Sequence, residues 1–337
     1  MRENTIKFAT AFIALLLCVA MVGEISTKAL QSESANSSVD KNISASYWAL
    51  TEKTMDVKGE LKPDNAISFS IPMTLKVSLD GIPLNPASDR THDFDFMKTG
   101  NKAMMVGELG VTEMEVKNVS SMVLKAGFQV TAIHNHLLRT SPHVMWIHIH
   151  GYGDPVDMAK KIRSITDFVN RKPPEKSNDN TRIKGINTSK LDQIIGKNGS
   201  VEGRDYGFDV ARANKISMNG TMLSPAMDVS TMIRFQPLGN DKTAVIGEFV
   251  LEENEVNPVM QTFTDNGIEV TALHSHMITE QPRLFYMHCW ATGDAGRLAS
   301  IMRKALDETN SEVGSQNRIK LPIEHSLYIK FNLWMYH

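Results

Sequence analysis

The chain has 337 residues, 42% of them hydrophobic, with 36 Lys and Arg against 38 Asp and Glu and a formal net charge of -2 at pH 7. That length suits two domains. A charge so balanced, with no polybasic run or acidic tail, argues against a nucleic-acid binder.

Arg2 and Lys7 precede the apolar run Phe8 to Gly23, and Thr27-Lys28-Ala29 offers a small-residue cleavage site. Residues 1–29 therefore read as a signal peptide, and the protein is expected to be exported to the periplasm, the cell envelope or the medium. The run is short for a membrane span, so membrane contact is expected only through an uncleaved signal segment. Cys18 lies inside it behind Leu15-Leu16-Leu17 rather than a small residue, which disfavours a lipid-attachment site. Cys289 is then the one thiol of the mature chain, so the fold must rest on core burial without an internal disulfide.

Residues 30–45 are rich in Ser and Asn and read as a flexible leader. A first unit follows over 46–170, then a polar linker over 171–184, a second unit over 185–310 and an extension over 311–337. In the first unit Asp80-Gly81 is a hairpin-turn signal beside the alternating segments from Ser68 to Met73 and from Thr74 to Leu79. Lys102 to Leu109 reads as a strand. Thr112 and Glu115 form a capping box ahead of Val116, Val119 and Val123 at helical spacing, and Gly127 is the stop. Phe128 to Leu138 and His143 to His150 read as hairpin strands, and Asp154-Pro155 opens a last helix. In the second unit Asn254 is the expected cap of the first helix, which puts Pro258 in its opening turn.

The second unit repeats the first. Residues 106–154 align with 246–294 without a gap and share sixteen identities in forty-nine positions. The match continues upstream with a one-residue shift, Asp80-Gly81 and Leu84-Asn85-Pro86 against Asn219-Gly220 and Leu223-Ser224-Pro225. The fold class expected is α+β: two tandem pseudo-symmetric units, each an opening β-hairpin plus a ferredoxin-like βαββα layer, paired as an intramolecular pseudo-dimer.

Paired histidines recur at the centre of each unit, as His134-Asn135-His136 and His274-Ser275-His276, followed by His148 and His288. Alternation along a strand puts His134 and His136 on one face, and His148 and His150 on one face of the next strand. A hairpin folded about Pro142 would set His134 opposite His150 and His136 opposite His148. That is a four-imidazole patch, which suits a divalent transition metal, zinc foremost. The second unit offers His274, His276 and His288, with Trp290 in place of His150; three histidines and an open position suit open-site chemistry. Glu108 and Glu248, at the end of a strand expected beside His148 or His288, and Glu280 are candidate carboxylate ligands. No catalytic residue and no organic cofactor is assigned, and the partner is an unidentified small molecule or envelope component.

The segments from Val270 to His276, from Glu255 to Met260 and from Pro282 to His288 resemble the repeat signature of the LppY/LpqO family of exported bacterial proteins. The resemblance covers both units and implies export and a two-copy fold, without supplying a reaction. The chain departs from that family at Cys18 and in the first copy, where Lys117-Asn118 replaces Asn257-Pro258 and Thr140 replaces Glu280. Two rival readings stand beside the metal site. One is a non-enzymatic envelope or interaction module whose histidine faces pack together across a pseudo-dyad. The other is a cupin, because His274, His276 and Glu280 have the spacing of its first motif; helices at 112–126 and 253–266 would exclude it.

Overall fold

A computed structural model describes residues 45–170, 183, 185–240 and 242–314. The expected signal peptide and nearly all of the leader, linker and C-terminal extension lie outside the described residues.

The first unit opens with a helix, α1, over 45–55. It continues through β1 (Glu60–Lys62), β2 (Ala66–Pro72), β3 (Ser78–Leu79), β4 (Ile82–Pro83), β5 (Thr91–Thr99) and β6 (Lys102–Thr112). Then come α2 (Val116–Lys125), β7 (Gln129–His134), β8 (Thr140–Ser141), β9 (Val144–Gly153) and α3 (Pro155–Asn170). The second unit repeats this as α4 (Thr188–Ile195), β10 (Ser200–Glu202), β11 (Asp205–Ala211), β12 (Ser217–Met218), β13 (Thr221–Met222), β14 (Ser230–Gly239) and β15 (Lys242–Leu251). It ends with α5 (Glu253–Asp265), β16 (Glu269–His274), β17 (Glu280–Gln281), β18 (Phe285–Gly293) and α6 (Ala295–Asp307).

Each unit has one six-stranded antiparallel sheet, ordered β1-β2-β5-β6-β9-β7 and β10-β11-β14-β15-β18-β16. Strand β9 lies between β6 and β7, and α2 joins those two, which is the split crossover of a ferredoxin-like layer. The α+β class and the duplication are as the sequence implies. In the first unit the helices cover one face: Trp48, Val119, Val123, Ile162 and Ile165 pack on Phe69, Phe94, Phe96, Ile147 and Ile149. In the second, Leu191, Val259, Phe263, Leu298 and Met302 pack on Phe208, Phe235, Phe249 and Met287.

The opposite faces of the two sheets meet each other. Ala66, Met97, Met104 and Val106 of the first unit share a buried cluster with Met218, Met227, Val250, Leu284 and Tyr286 of the second. A second cluster joins Met73, Leu79, Leu84 and Trp146 to Ala244, Ile246 and Trp290. Buried polar bonds add to them: Asn85 Nδ2 and Ser88 Oγ donate to the Asp205 carboxylate at 2.5 and 2.6 Å, and Gln236 Nε2 donates to the Pro83 carbonyl at 2.7 Å. The apolar clusters supply the burial, and the pairing of these polar groups removes the desolvation cost of enclosing them.

Several local expectations are corrected. The turn at Asp80-Gly81 is present, with both residues at positive φ, but it joins only the two-residue strands β3 and β4; the long hairpin partner of β2 is β5. The α5 helix is capped by Glu252 rather than Asn254, with the Glu252 amide donating to Glu255 Oε2 at 2.7 Å, so Pro258 lies inside the helix. The one-residue shift between the repeats is a bulge in β14 between Pro237 and Gly239, next to the turn into β15. Helices over 116–125 and 253–265, placed before the histidine strands, exclude the cupin reading.

One buried ion pair fixes the start of α5. Arg212 donates to Glu255 Oε2 at 2.7 Å, to Glu252 Oε1 at 2.6 Å and to the Val250 carbonyl at 2.8 Å. Arg212→Ala leaves the buried Glu255 without that counter-charge, so a loss of about 3–5 kcal/mol is expected in urea unfolding of the full chain. An unchanged midpoint would mean that the pair does not hold the start of α5.

Candidate metal centre between the two units

The histidine strands β7 and β16 are the outer strands of the two sheets, and they meet at the pseudo-dyad. Each carries a bulge, between Val130 and Ala132 and between Val270 and Ala272. The bulge breaks simple alternation: Val130 packs with the helix-side core, while Ala132 pairs opposite His148, whose side chain belongs to the other face. The register follows from this. His134 stands opposite Trp146, and His150 stands opposite Gln129, so the expected pairs of His134 with His150 and His136 with His148 do not form. Strand β7 also stops at His134, because Thr140–Ser141 leaves to pair with β3.

The four-histidine patch within one unit is therefore replaced by a cluster shared between units. The rings of His134 and His274 stack across the dyad with centroids 3.4 Å apart. Two equivalent cross-pairs flank them, His136 with His288 at 4.0 Å and His148 with His276 at 3.7 Å. Ligand atoms of His134, His136, His148 and His276 lie within 4.8 Å of one another; so do those of His136, Glu248, His276 and His288, and those of His134, His274 and His288. His150 is outside these groups, half-buried with Nδ1 3.3 Å from Gln129 Oε1. Glu280 is outside as well: it is buried, accepts from the Leu284 amide at 3.1 Å and pairs with Arg283.

Glu108 and Glu248 do face the cluster. Glu108 is paired opposite His148 and Glu248 opposite His288, as expected for neighbouring strands. Glu108 Oε2 lies 3.5 Å from His148 Nε2 and 3.7 Å from His136 Nε2, and Glu248 Oε2 lies 3.2 Å from His288 Nε2.

Two residues that orient the site escaped the sequence reading. Asp89 Oδ1 lies 2.6 Å from His136 Nδ1, and Asp228 Oδ2 lies 2.6 Å from His276 Nδ1. Each bond fixes a ring whose histidine has already left its strand and turns Nε2 toward the cluster. A signal was available: Pro86-Ala87-Ser88-Asp89 and Pro225-Ala226-Met227-Asp228 continue the repeated Leu-x-Pro segment. Both aspartates have positive φ, 71° and 57°, a conformation that aspartate tolerates better than most residues.

Burial dominates the electrostatics. It lowers His134 to about 4 and His274 to about 3, and it holds His136, His148, His276 and His288 well below the usual imidazole range, with neighbouring histidines adding to the effect. The same burial raises Glu248 to about 8 against the opposing charge of Arg234 and, reinforced by neighbouring carboxylates, holds Glu108, Asp89 and Asp228 well above the carboxylate range. Values so low leave the imidazoles neutral near pH 7, each with a lone pair on one ring nitrogen. Nε2 of His134, His136, His148, His274, His276 and His288 is buried without a hydrogen-bond partner, as are Nδ1 of His274 and, outside the cluster, Nε2 of His150. Native interiors seldom leave such atoms unpaired, and nitrogen and carboxylate donors converging in this way suit zinc or a similar divalent transition ion.

The fold and the site together define a duplicated α+β protein with a histidine and carboxylate cluster buried between its two halves. The chain belongs to the family described as Domain of Unknown Function (DUF1259), whose model matches residues 49–168 and 189–308. No curated protein matches it in sequence. Among solved structures, the double-ringed trimeric shell protein MSM0271 from the RMM microcompartment aligns over 71% of this chain and 94% of its own, at 9% identity and a TM-score of 0.19. The trimeric bacterial microcompartment shell protein PduB aligns over 76% and 89%, at 13% identity and a TM-score of 0.18. Likeness that slight carries no inference about fold or function. No helix among the described residues is long and apolar enough to cross a membrane.

The outer carboxylates give a graded test of the site. Asp228→Asn keeps the shape of the side chain but removes the carboxyl group that, ionised beside a bound metal, would make His276 a better donor. Zinc affinity is expected to fall about 10–100-fold, and similarly for Asp89→Asn, as read by competition with a chromophoric chelator. Equal affinity in both variants and the native chain would remove the aspartates from the site.

Proposed function

We propose that the protein binds a divalent transition metal, zinc foremost, at the cluster between its two units, and that the ion ties the halves together. The observation that carries this reading is the convergence of six imidazoles whose buried Nε2 atoms have no hydrogen-bond partner, next to the buried Glu248 and the partly buried Glu108. His134, His136, His148, His274, His276 and His288 are the nitrogen donors proposed, with Glu108 and Glu248 as carboxylate donors and Asp89 and Asp228 as orienting groups. Bound there, the metal would supply Lewis acidity. The neutral imidazoles offer their lone pairs, and the glutamates lose protons to offset the ion's charge.

The test is metal analysis of the chain purified without a His-tag, followed by zinc titration of the chelator-stripped protein. Retained metal at one or more ions per chain, and saturable uptake after stripping, is the expected result. Substoichiometric metal and no uptake would defeat the proposal.

We further propose that the chain is exported, on the strength of the pattern over residues 1–29, and that it falls with the LppY/LpqO proteins within its family. The second reading is an envelope module in which the histidine faces serve only as an interface. The close ring stacking across the dyad supports it, and intact pairing of the units in the metal-free chain would favour it.

A further inference from the structure

The two halves of the cluster are related by the pseudo-dyad but are not equally enclosed. Beside His148 and His276 lies a partly open cavity of about 20 Å³, with Gln129, Thr131, His150 and Thr279 also in its wall. That volume holds about one water molecule. Across the dyad, the counterparts of Gln129 and Thr279 are Glu269 and Arg139, and these close on each other: the Arg139 guanidinium donates to both Glu269 oxygens at 2.7 Å and to both Asp80 oxygens at 3.0 Å. The counterpart of His150 is Trp290, which is buried in an apolar cluster. The same side carries a further latch, with Asn135 Nδ2 donating to the Thr271 carbonyl at 3.2 Å and Thr271 Oγ1 donating to the His136 carbonyl at 2.6 Å.

From this difference we infer that the duplicated site has diverged into a sealed half and an open half, and that the open half takes an exchangeable water-sized ligand through the mouth at Gln129 and Thr279. The ligand is a water or hydroxide, or a small linear anion that displaces it; nothing larger than a few atoms fits between the cavity walls. The inference rests on the metal reading. It reverses the expectation that the second unit, with three histidines and Trp290, holds the open position: Trp290 fills space that His150 leaves accessible. At the open half the metal would be held by donors that include His148 and His276, which converge with His134 and His136, and the ligand would enter past Gln129 and Thr279.

Cobalt(II) in place of zinc gives the site a visible spectrum, and azide serves as the small anion. Azide is expected to shift the visible bands of the native cobalt-loaded chain. The double variant Gln129→Glu with Thr279→Arg copies the sealed pair onto the open mouth; it should bind the same amount of cobalt, lose the azide response and release metal to a chelator at least tenfold more slowly. Thr279→Trp, at an exposed position, plugs the mouth by bulk alone and guards against a folding defect in the double variant. The converse variant, Arg139→Thr with Glu269→Gln, should add a second azide-sensitive component. Cobalt uptake with no azide response in the native chain, or an unaltered response in both blocked variants, overturns this inference alone. Absence of cobalt and zinc uptake overturns the metal reading with it.

Discussion

Replacing His136 and His276 together with alanine is expected to lower zinc affinity by well over 100-fold and to leave the purified chain with a small fraction of the native metal. These two residues belong to both of the four-ligand groups, so the double substitution leaves only His134, His274 and His288 as an intact set. An outer-shell partner alone is worth about 10–100-fold, and two direct donors are worth more. Alanine also leaves Asp89 and Asp228 without their ring partners, which destabilises the fold independently of metal. His136→Gln with His276→Gln separates these effects, because the amide can still donate to the aspartate while being a poor zinc ligand. Native metal content in either double variant would place any bound ion elsewhere.

The fold class was legible because the sequence repeats itself: the same capping, turn and strand signals at two places support one another even where each is weak. The strand pairing of Glu108 with His148 was legible too, since a split crossover puts those strands side by side. Register was not. A bulge at Thr131 costs one residue of alternation and has no compositional mark, and Thr140–Ser141 leaves the hairpin for a partner, β3, that lies about sixty residues upstream. The site itself was half-visible. The histidines announce themselves by pairing, but their convergence is between units, and a reading confined to one unit assembles His134, His136, His148 and His150 from the wrong strand geometry. Asp89 and Asp228 carry a weaker mark: the repeated Pro-Ala-x-Asp segment singles out the position, but only its distance from the histidine in space gives it a role. Arg139 and Glu269 show how far duplication can mislead, because they differ from their counterparts Thr279 and Gln129 and so fall outside the repeated pattern.

Metal and pH are expected to act on stability together. In the unfolded chain the buried carboxyls titrate near 4 and the imidazoles near 6.5. Glu248, raised to about 8 by burial, contributes stability that is fully present below its unfolded value and is lost as pH rises toward 8; Glu108, Asp89 and Asp228 act in the same direction. His134 and His274, lowered to about 4 and about 3, contribute stability that is present above about 6.5 and is lost as pH falls toward those values. The metal-free chain is therefore pressed from both sides and should be most stable in mildly acid solution, about pH 5–6.5. A bound divalent ion removes the alkaline limb, since ionised Glu108 and Glu248 are then what the site needs, and it leaves the acid limb in place because protons compete for the imidazoles. With zinc at about 100 times its dissociation constant, mass action adds roughly 2.7 kcal/mol, or roughly 4–5 °C in Tm for a chain of this size. Melting the chain at pH 5, 6.5 and 8, with zinc and with chelator, should show the gap between the two curves small at pH 5 and largest at pH 8. A gap that does not change with pH, or a metal-free chain that becomes more stable between pH 6.5 and 8, would mean that the buried carboxyls are not held in the protonated form next to the histidines.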